Sequence, residues 1–362
     1  MKKDLAIIFL LTIPFLYIIE QLINYKELRR NHDVYHHDMQ VDIKRESLWG
    51  TTKYIACTDK NAFKISCKDF NQNNHNKTFD IAFIGDSFTE GLDYDKSFVG
   101  LIADHLSDHR IANLGVSSYS PSIYYYKIKY LLSNGYKFKH MVVYADISDI
   151  QDEAIYIESN SRIDNNHVLN NRTFKLVEKN LYREIKDFFK IHFPFTYIHL
   201  RKAKQALIEN EQPYNVFDKN NIIFKKDFHR GSWTYNQELL FRNKLSVKDM
   251  MNKNLYYMER IYNLLKANNI ELSIAVYPWP SQILWDKADN NHVSLWRDFC
   301  DGKCYVFLDN YENFFKEIDR TDRWSVIMRY YILNDVHFND EGNRLIADNF
   351  IENFDYNLHS SK

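Results

Sequence analysis

The sequence predicts a three-layer α/β/α sandwich around a mainly parallel sheet. Three observations carry that reading. Short buried-strand patterns alternate with helical ones from residue 79 to residue 144, the alternation returns after residue 247, and glycines stop the first two strands at Gly85 and Gly115. Strands that alternate with helices are joined by right-handed crossovers, which build a parallel sheet covered on both faces.

Phe79 to Ile84 is apolar apart from Asp80 and reads as a buried strand ended by Gly85. Phe98, Leu101, Ile102 and Leu106 fall on one helical face, so a helix follows. Arg110 to Leu114 reads as the second strand. Ser120 and Pro121 then stand as N-cap and first residue of a helix with Ile123, Ile128, Leu131 and Leu132 facing inward and Gly135 closing it. Met141 to Tyr144 is the third strand. Residues 154–247, rich in Asn, Lys, Phe and Tyr, break the rhythm and read as a mostly helical insertion. It resumes with an amphipathic helix near Lys248–Asn268 (Met251, Leu255, Met258, Ile261, Tyr262, Leu265), strands at Leu272–Tyr277 and Tyr305–Leu308, and a last helix from Gly342 to Phe354. No internal repeat is evident, and residues 79–358 are expected to form one domain.

Before that domain, an apolar run from Leu5 to Ile19 follows Lys2 and Lys3. It is short for a membrane span and suits a signal sequence. No small-residue cleavage site follows, so residues 1–25 are expected to be an uncleaved signal anchor, with a cleaved signal peptide as the alternative. Residues 26–78 read as a polar linker and extension, in which His32, His36 and His37 are a solvated stretch rather than a metal site. Cys57 and Cys67 bracket one short loop, Cys300 and Cys304 another. Two close pairs without a singleton suggest two local disulfides and an oxidising compartment; neither pair has C-x2-C spacing, and no histidine repeat accompanies them. Anchor and cysteines together place the body of the chain outside the cytoplasm, on the periplasmic side of a membrane.

Formal net charge is −1 in 362 residues, which argues against a nucleic-acid partner because phosphate binding needs a basic face. Aromatic residues make up 16%, which suits stacking on sugar rings or reflects a bias toward Asn, Lys, Tyr, Phe and Ile.

Chemistry concentrates in two stretches. In Ile84-Gly85-Asp86-Ser87-Phe88-Thr89-Glu90-Gly91, Ser87 stands in the turn after a buried strand, at the carboxyl end of the sheet where α/β folds place their sites. A serine attacks an acyl carbon when a base takes its proton. Near the C-terminus, in Asn334-Asp335-Val336-His337-Phe338-Asn339-Asp340-Glu341-Gly342, Asp335 and His337 are two apart on an extended turn. The carboxylate then lies beside the imidazole and fixes its tautomer.

Together these stretches resemble the blocks of the SGNH (GDSL-type) hydrolase superfamily, from about Asp80 to Asp355 and interrupted by the insertion. The resemblance implies a flavodoxin-like fold, Ser87 as nucleophile, His337 as base and Asp335 as its orienter. Asn113-Leu114-Gly115-Val116-Ser117-Ser118-Tyr119-Ser120-Pro121 looks like the second block, which assigns Gly115 as an oxyanion-hole N–H beside that of Ser87. Two departures stand out. Tyr144-Ala145-Asp146-Ile147-Ser148-Asp149-Ile150 carries Ser148 where the family has an asparagine oxyanion donor. Either Ser148 or Asp146 substitutes, or the hole is weaker; Ser148 or Asp149 also suits a helix N-cap. Second, the last block is Asp335-x-His337 rather than Asp-x-x-His. That form is similar to the branch of membrane-associated alginate O-acetylation proteins, which implies acylated cell-surface carbohydrate as substrate and a polysaccharide-modification complex as partner. Trp279, in Tyr277-Pro278-Trp279-Pro280, is expected either to wall the acyl or sugar pocket or to pack on the insertion. No metal or organic cofactor is implied. The expected activity is that of a serine esterase or O-acyltransferase. A non-catalytic glycan-binding or assembly subunit and a lipid esterase are the alternatives.

Overall fold

A computed structural model describes residues 44–49, 52–59, 63–69, 76–158, 217–241 and 245–354. The expected anchor and most of the insertion lie outside them. Among the described residues no helix is long and apolar enough to cross a membrane.

Among the described residues eight strands form one sheet: β1 (Lys44–Trp49), β2 (Thr52–Thr58), β3 (Lys64–Ile65), β4 (Thr78–Gly85), β5 (Ile111–Asn113), β6 (Lys137–Ala145), β7 (Glu271–Val276) and β8 (Phe307–Asp309). Their spatial order is β1-β2-β3-β5-β4-β6-β7-β8. The five strands from β4 onward pair in parallel, with β5 and β6 on either side of β4. Numbered among themselves they run 2-1-3-4-5, the flavodoxin-like order, whose direction of winding reverses beside the first strand. Ile81 to Ile84, Met141 to Ala145 and Ile274 to Val276 are shut off from solvent on both faces. That explains their continuous apolar runs.

The helices are α1 (Ser87–Glu90), α2 (Phe98–His105), α3 (Pro121–Ser133), α4 (Asp149–Glu158), α5 (Val247–Ala267), α6 (Pro280–Trp285), α7 (Asn291–Cys300), α8 (Tyr311–Arg320), α9 (Arg323–Tyr330) and α10 (Asp340–Asn353). α3 and α4 pack on α5, while α10 packs on α2 and α9. Right-handed crossovers set these groups on opposite faces of the sheet, giving the expected layers. In α5 the buried stripe is Met250, Asn254, Tyr257, Met258, Ile261 and Leu265. Met251, Leu255 and Tyr262, expected inside, are only half-buried at its margin.

The stretch read as a linker is corrected by the structure. β1 and β2 pair antiparallel, β2 continues to β3, and Lys64 of β3 lies opposite Asn113 of β5. Strands β1 to β3 therefore extend the parallel sheet by an antiparallel edge, a common ending for such sheets. Cys57 is bonded to Cys67 across this edge, and Cys300 to Cys304 after α7, as the cysteine spacing suggested. Of the predicted insertion, residues 154–158 complete α4, residues 217–241 include short 3₁₀ turns (Ile222–Phe224 and Ser232–Thr234), and most of the rest lies outside the described residues.

Candidate active site

Ser87 is the first residue of α1, immediately past β4. The turn is tight for a reason visible at Gly85: a Cβ there would stand 2.2 Å from Thr89 Oγ1 and 2.8 Å from the Tyr144 carbonyl. Asp86 caps α1 by accepting the Phe88 N–H at 3.0 Å. This fixes the serine at the carboxyl edge of the sheet, beside the strand where winding reverses.

His337 arrives from the opposite end of the chain, on a loop between α9 and α10. An isolated bridge pairs Tyr331 with Phe338, and inside it the Ile332 N–H donates to the His337 carbonyl at 2.9 Å. The loop needs a left-handed residue, and Asn334 supplies it at φ 58°. Its side-chain oxygen accepts the Asp218 N–H at 2.8 Å. Position 334 is thus spent on anchoring the loop, and the carboxylate that reaches the imidazole is Asp335. Asp335 Oδ1 lies 2.5 Å from His337 Nδ1 and also accepts the His337 N–H at 3.0 Å. On the other side Ser87 Oγ lies 2.8 Å from His337 Nε2. A carboxylate against Nδ1 favours the tautomer protonated there, which leaves the Nε2 lone pair for the serine proton. Phe88 stacks on the imidazole with centroids 4.5 Å apart, and Phe338 meets Phe88 edge-on. The ring is held by packing as well as by hydrogen bonds.

The oxyanion assignments fare differently. The Gly115 N–H donates to its neighbour Asn113 Oδ1 at 2.9 Å. Glycine is required at 115 for another reason, because a Cβ would stand 2.3 Å from the Glu90 nitrogen. Ser148 is fully buried, and its hydroxyl donates to Asp146 Oδ1 at 2.5 Å within the turn leading from β6 into α4. Asp146 is itself occupied, accepting the Ser148 N–H at 2.6 Å and the Trp279 indole N–H at 2.8 Å. Trp279 is buried between Phe88 and Phe228, a residue of the insertion, so of its two expected roles it takes packing on the insertion rather than walling the site. Of the proposed donors, the Ser87 N–H remains, at the start of a helix where such groups lack intrahelical partners.

The cleft that opens beside Ser87 and His337 lies elsewhere. It measures about 180 Å³ and is floored by Phe88, Leu92, Ile332 and Phe338, with Lys96 and Asp340 among its polar lining. Lys96 Nζ stands 3.1 Å from Asp340 Oδ2. Among the described residues no cluster of His, Cys, Asp or Glu has the arrangement of a metal site.

No protein-family model and no curated protein matches the chain. Among solved structures it is similar to a crystal structure of a member of the lipolytic protein G-D-S-L family from Veillonella parvula. Identity is 12%, covering 76% of this chain and 97% of that one, with a TM-score of 0.38. The functional case therefore rests on the site itself.

Two features of the site were not foreseen. The edge strands brace α1: Lys64 Nζ pairs with Glu90 at 2.9 Å, both side chains largely buried, and Glu90 also accepts the Ser117 N–H at 2.9 Å. The other feature is a group of buried carboxyls behind Ser87. Asp86, Asp146, Asp149, Asp152 and Glu153 are all buried. Burial pushes Asp86 and Asp149 well above the usual carboxylate range, with Asp146 adding to both. It raises Asp152 to about 6 against the pull of Arg230, and Glu153 to about 7. Acidic residues were visible at each position, but their convergence depends on how β4, β6 and α4 meet.

Proposed function

We propose that this chain is a serine-dependent ester hydrolase or O-acyltransferase that works through an acyl-serine. The observation that carries the reading is the 2.8 Å approach of Ser87 Oγ to His337 Nε2, with Asp335 behind the imidazole. In the first half-reaction Ser87 Oγ attacks the ester carbonyl while Nε2 takes its proton. The carbonyl π electrons move onto oxygen, and the Ser87 N–H faces that oxyanion. Collapse breaks the ester C–O bond, the leaving alcohol receives the proton from His337, and the acyl group stays on Ser87. Water or a sugar hydroxyl then gives its proton to His337 and attacks the acyl carbon; collapse breaks the bond to Ser87 Oγ, and His337 returns the proton to Ser87.

The substrate we propose is an O-acetyl group on cell-surface carbohydrate. A cleft of about 180 Å³ is comparable to the cavity of about 150 Å³ that takes one benzene, so it suits a short acyl group and a polar partner better than a lipid tail. The two disulfides support a site of action outside the cytoplasm. A non-catalytic carbohydrate-binding role is favoured by one observation, the internal use of the Gly115 N–H and the Ser148 hydroxyl. Incubation with acetylated surface polysaccharide, comparing wild type with Ser87→Ala, separates the readings. Catalysis predicts acetate release or transfer by the wild type alone, and equal acetate in both samples contradicts it.

A further inference from the structure

Ser87 Oγ has one proton and two neighbours able to accept it. His337 Nε2 is 2.8 Å away and Asp86 Oδ2 is 3.2 Å away. Were Asp86 a carboxylate, it would compete for that proton as a charged acceptor, the stronger kind, and turn the hydroxyl away from its base. Were it a carboxylic acid, the bond would run the other way. Asp86 would donate to Oγ, and the serine proton would have only His337 to meet.

The surroundings of Asp86 favour the acid. The residue is 3% exposed, and this burial outweighs the opposite pull of the Phe88 N–H, which its Oδ1 accepts together with the Tyr277 hydroxyl at 3.3 Å. Neighbouring elements bring mainly acids toward it. Asp146 follows β6, Asp149 and Asp152 lie on α4, and the phenols of Tyr124 on α3 and Tyr277 after β7 join them. Among the described residues the cation acting on Asp86 is Arg230, and its guanidinium is bonded to Asp152 at 3.0 Å. Buried carboxyls that share a site cannot all ionise.

Burial, then the field of Asp146, pushes the Asp86 carboxyl upward, while the Phe88 N–H it accepts and Arg230 oppose.

We propose that Asp86 works as a neutral acid that donates a hydrogen bond to Ser87 Oγ and so directs the serine proton to His337. This rests on Ser87 being the nucleophile. It makes Asp86 a catalytic residue beyond its part in capping α1. It also predicts an alkaline loss of activity, because ionised Asp86 would draw the serine proton to itself.

Asp86→Asn tests the idea, since asparagine keeps the cap on the Phe88 N–H, cannot ionise and offers an N–H to Oγ. Folding is checked by thermal unfolding. In the folded variant the alkaline fall of kcat/KM on a short-chain ester is expected to disappear. An unchanged alkaline fall in folded Asp86→Asn overturns the proposal. Infrared difference spectra of wild type against Asp86→Asn at neutral pH give a readout independent of turnover. A protonated-carboxyl C=O band belonging to Asp86 supports the proposal, and a carboxylate band alone overturns it. An inactive wild type that shows the acid band would count against the proposed activity while leaving the protonation of Asp86 established.

Discussion

Two aspartates flank the Ser87–His337 contact, and they differ in nearly everything except residue type. Asp335 lies on a surface loop with a quarter of its side chain exposed and an imidazole N–H to accept. Asp86 lies at the root of the sheet among other acids and beside the serine hydroxyl. On the first side the carboxyl acts as acceptor and orients a base. On the second, burial favours the neutral form, and the same group becomes a donor. Environment, rather than residue type, assigns the two roles.

The largest effect that probes this contrast comes from Asp335→Asn. An amide in place of the Asp335 carboxylate no longer enforces the Nδ1-protonated tautomer, so kcat is expected to fall on the order of 10²–10⁴-fold with the fold intact. Steady-state kinetics and thermal unfolding on the same preparation check it. A variant as active as wild type would remove the distinction between the two aspartates. The same Asp-to-Asn change is thus expected to cripple the base at 335 and to abolish the alkaline fall at 86.

A smaller effect, on stability, sharpens the account of the acidic side. Glu153 accepts from the Ser120 hydroxyl at 2.8 Å and is raised to about 7 from an ordinary 4.5 by burial. A raised acid makes the folded state bind more protons than the unfolded state between those two values. Its contribution to stability therefore falls as pH rises through that window. Glu153→Gln keeps an acceptor and removes the ionisation. It is expected to be more stable than wild type at pH 8, by on the order of 3 kcal/mol or less, with the gap closing toward pH 4. Denaturant unfolding at several pH values measures it, and a gap independent of pH would contradict the assigned cause.

The parts of the molecule that were legible in the sequence share a physical reason. β4, β6 and β7 are buried on both faces, so their apolar runs are continuous, and α5 shows its period over 21 residues. Asp335 and His337 lie in one short loop, so the pair was visible from spacing alone. The edge strands were hidden because β3 has two residues, and its Lys64 is explained by Glu90, 26 positions later. Gly115, expected as an oxyanion donor, gives its N–H to Asn113, and its lack of a side chain serves the close approach of α1. Ser148 and Trp279 carried plausible functional chemistry, and both were claimed by Asp146, a neighbour whose position only the fold determines. The neutral state of Asp86 needed the carboxyls of β6 and α4, some 60 residues away in sequence, and no local pattern encodes it.

The central claim is that Ser87 is a nucleophile activated by His337. Fluorophosphonate labelling of the intact protein followed by peptide mass mapping tests it directly. The account predicts a single adduct on Ser87 in the wild type and its loss in folded His337→Ala. Absence of labelling at Ser87 in the folded wild type, or equal labelling when His337 is removed, would contradict it.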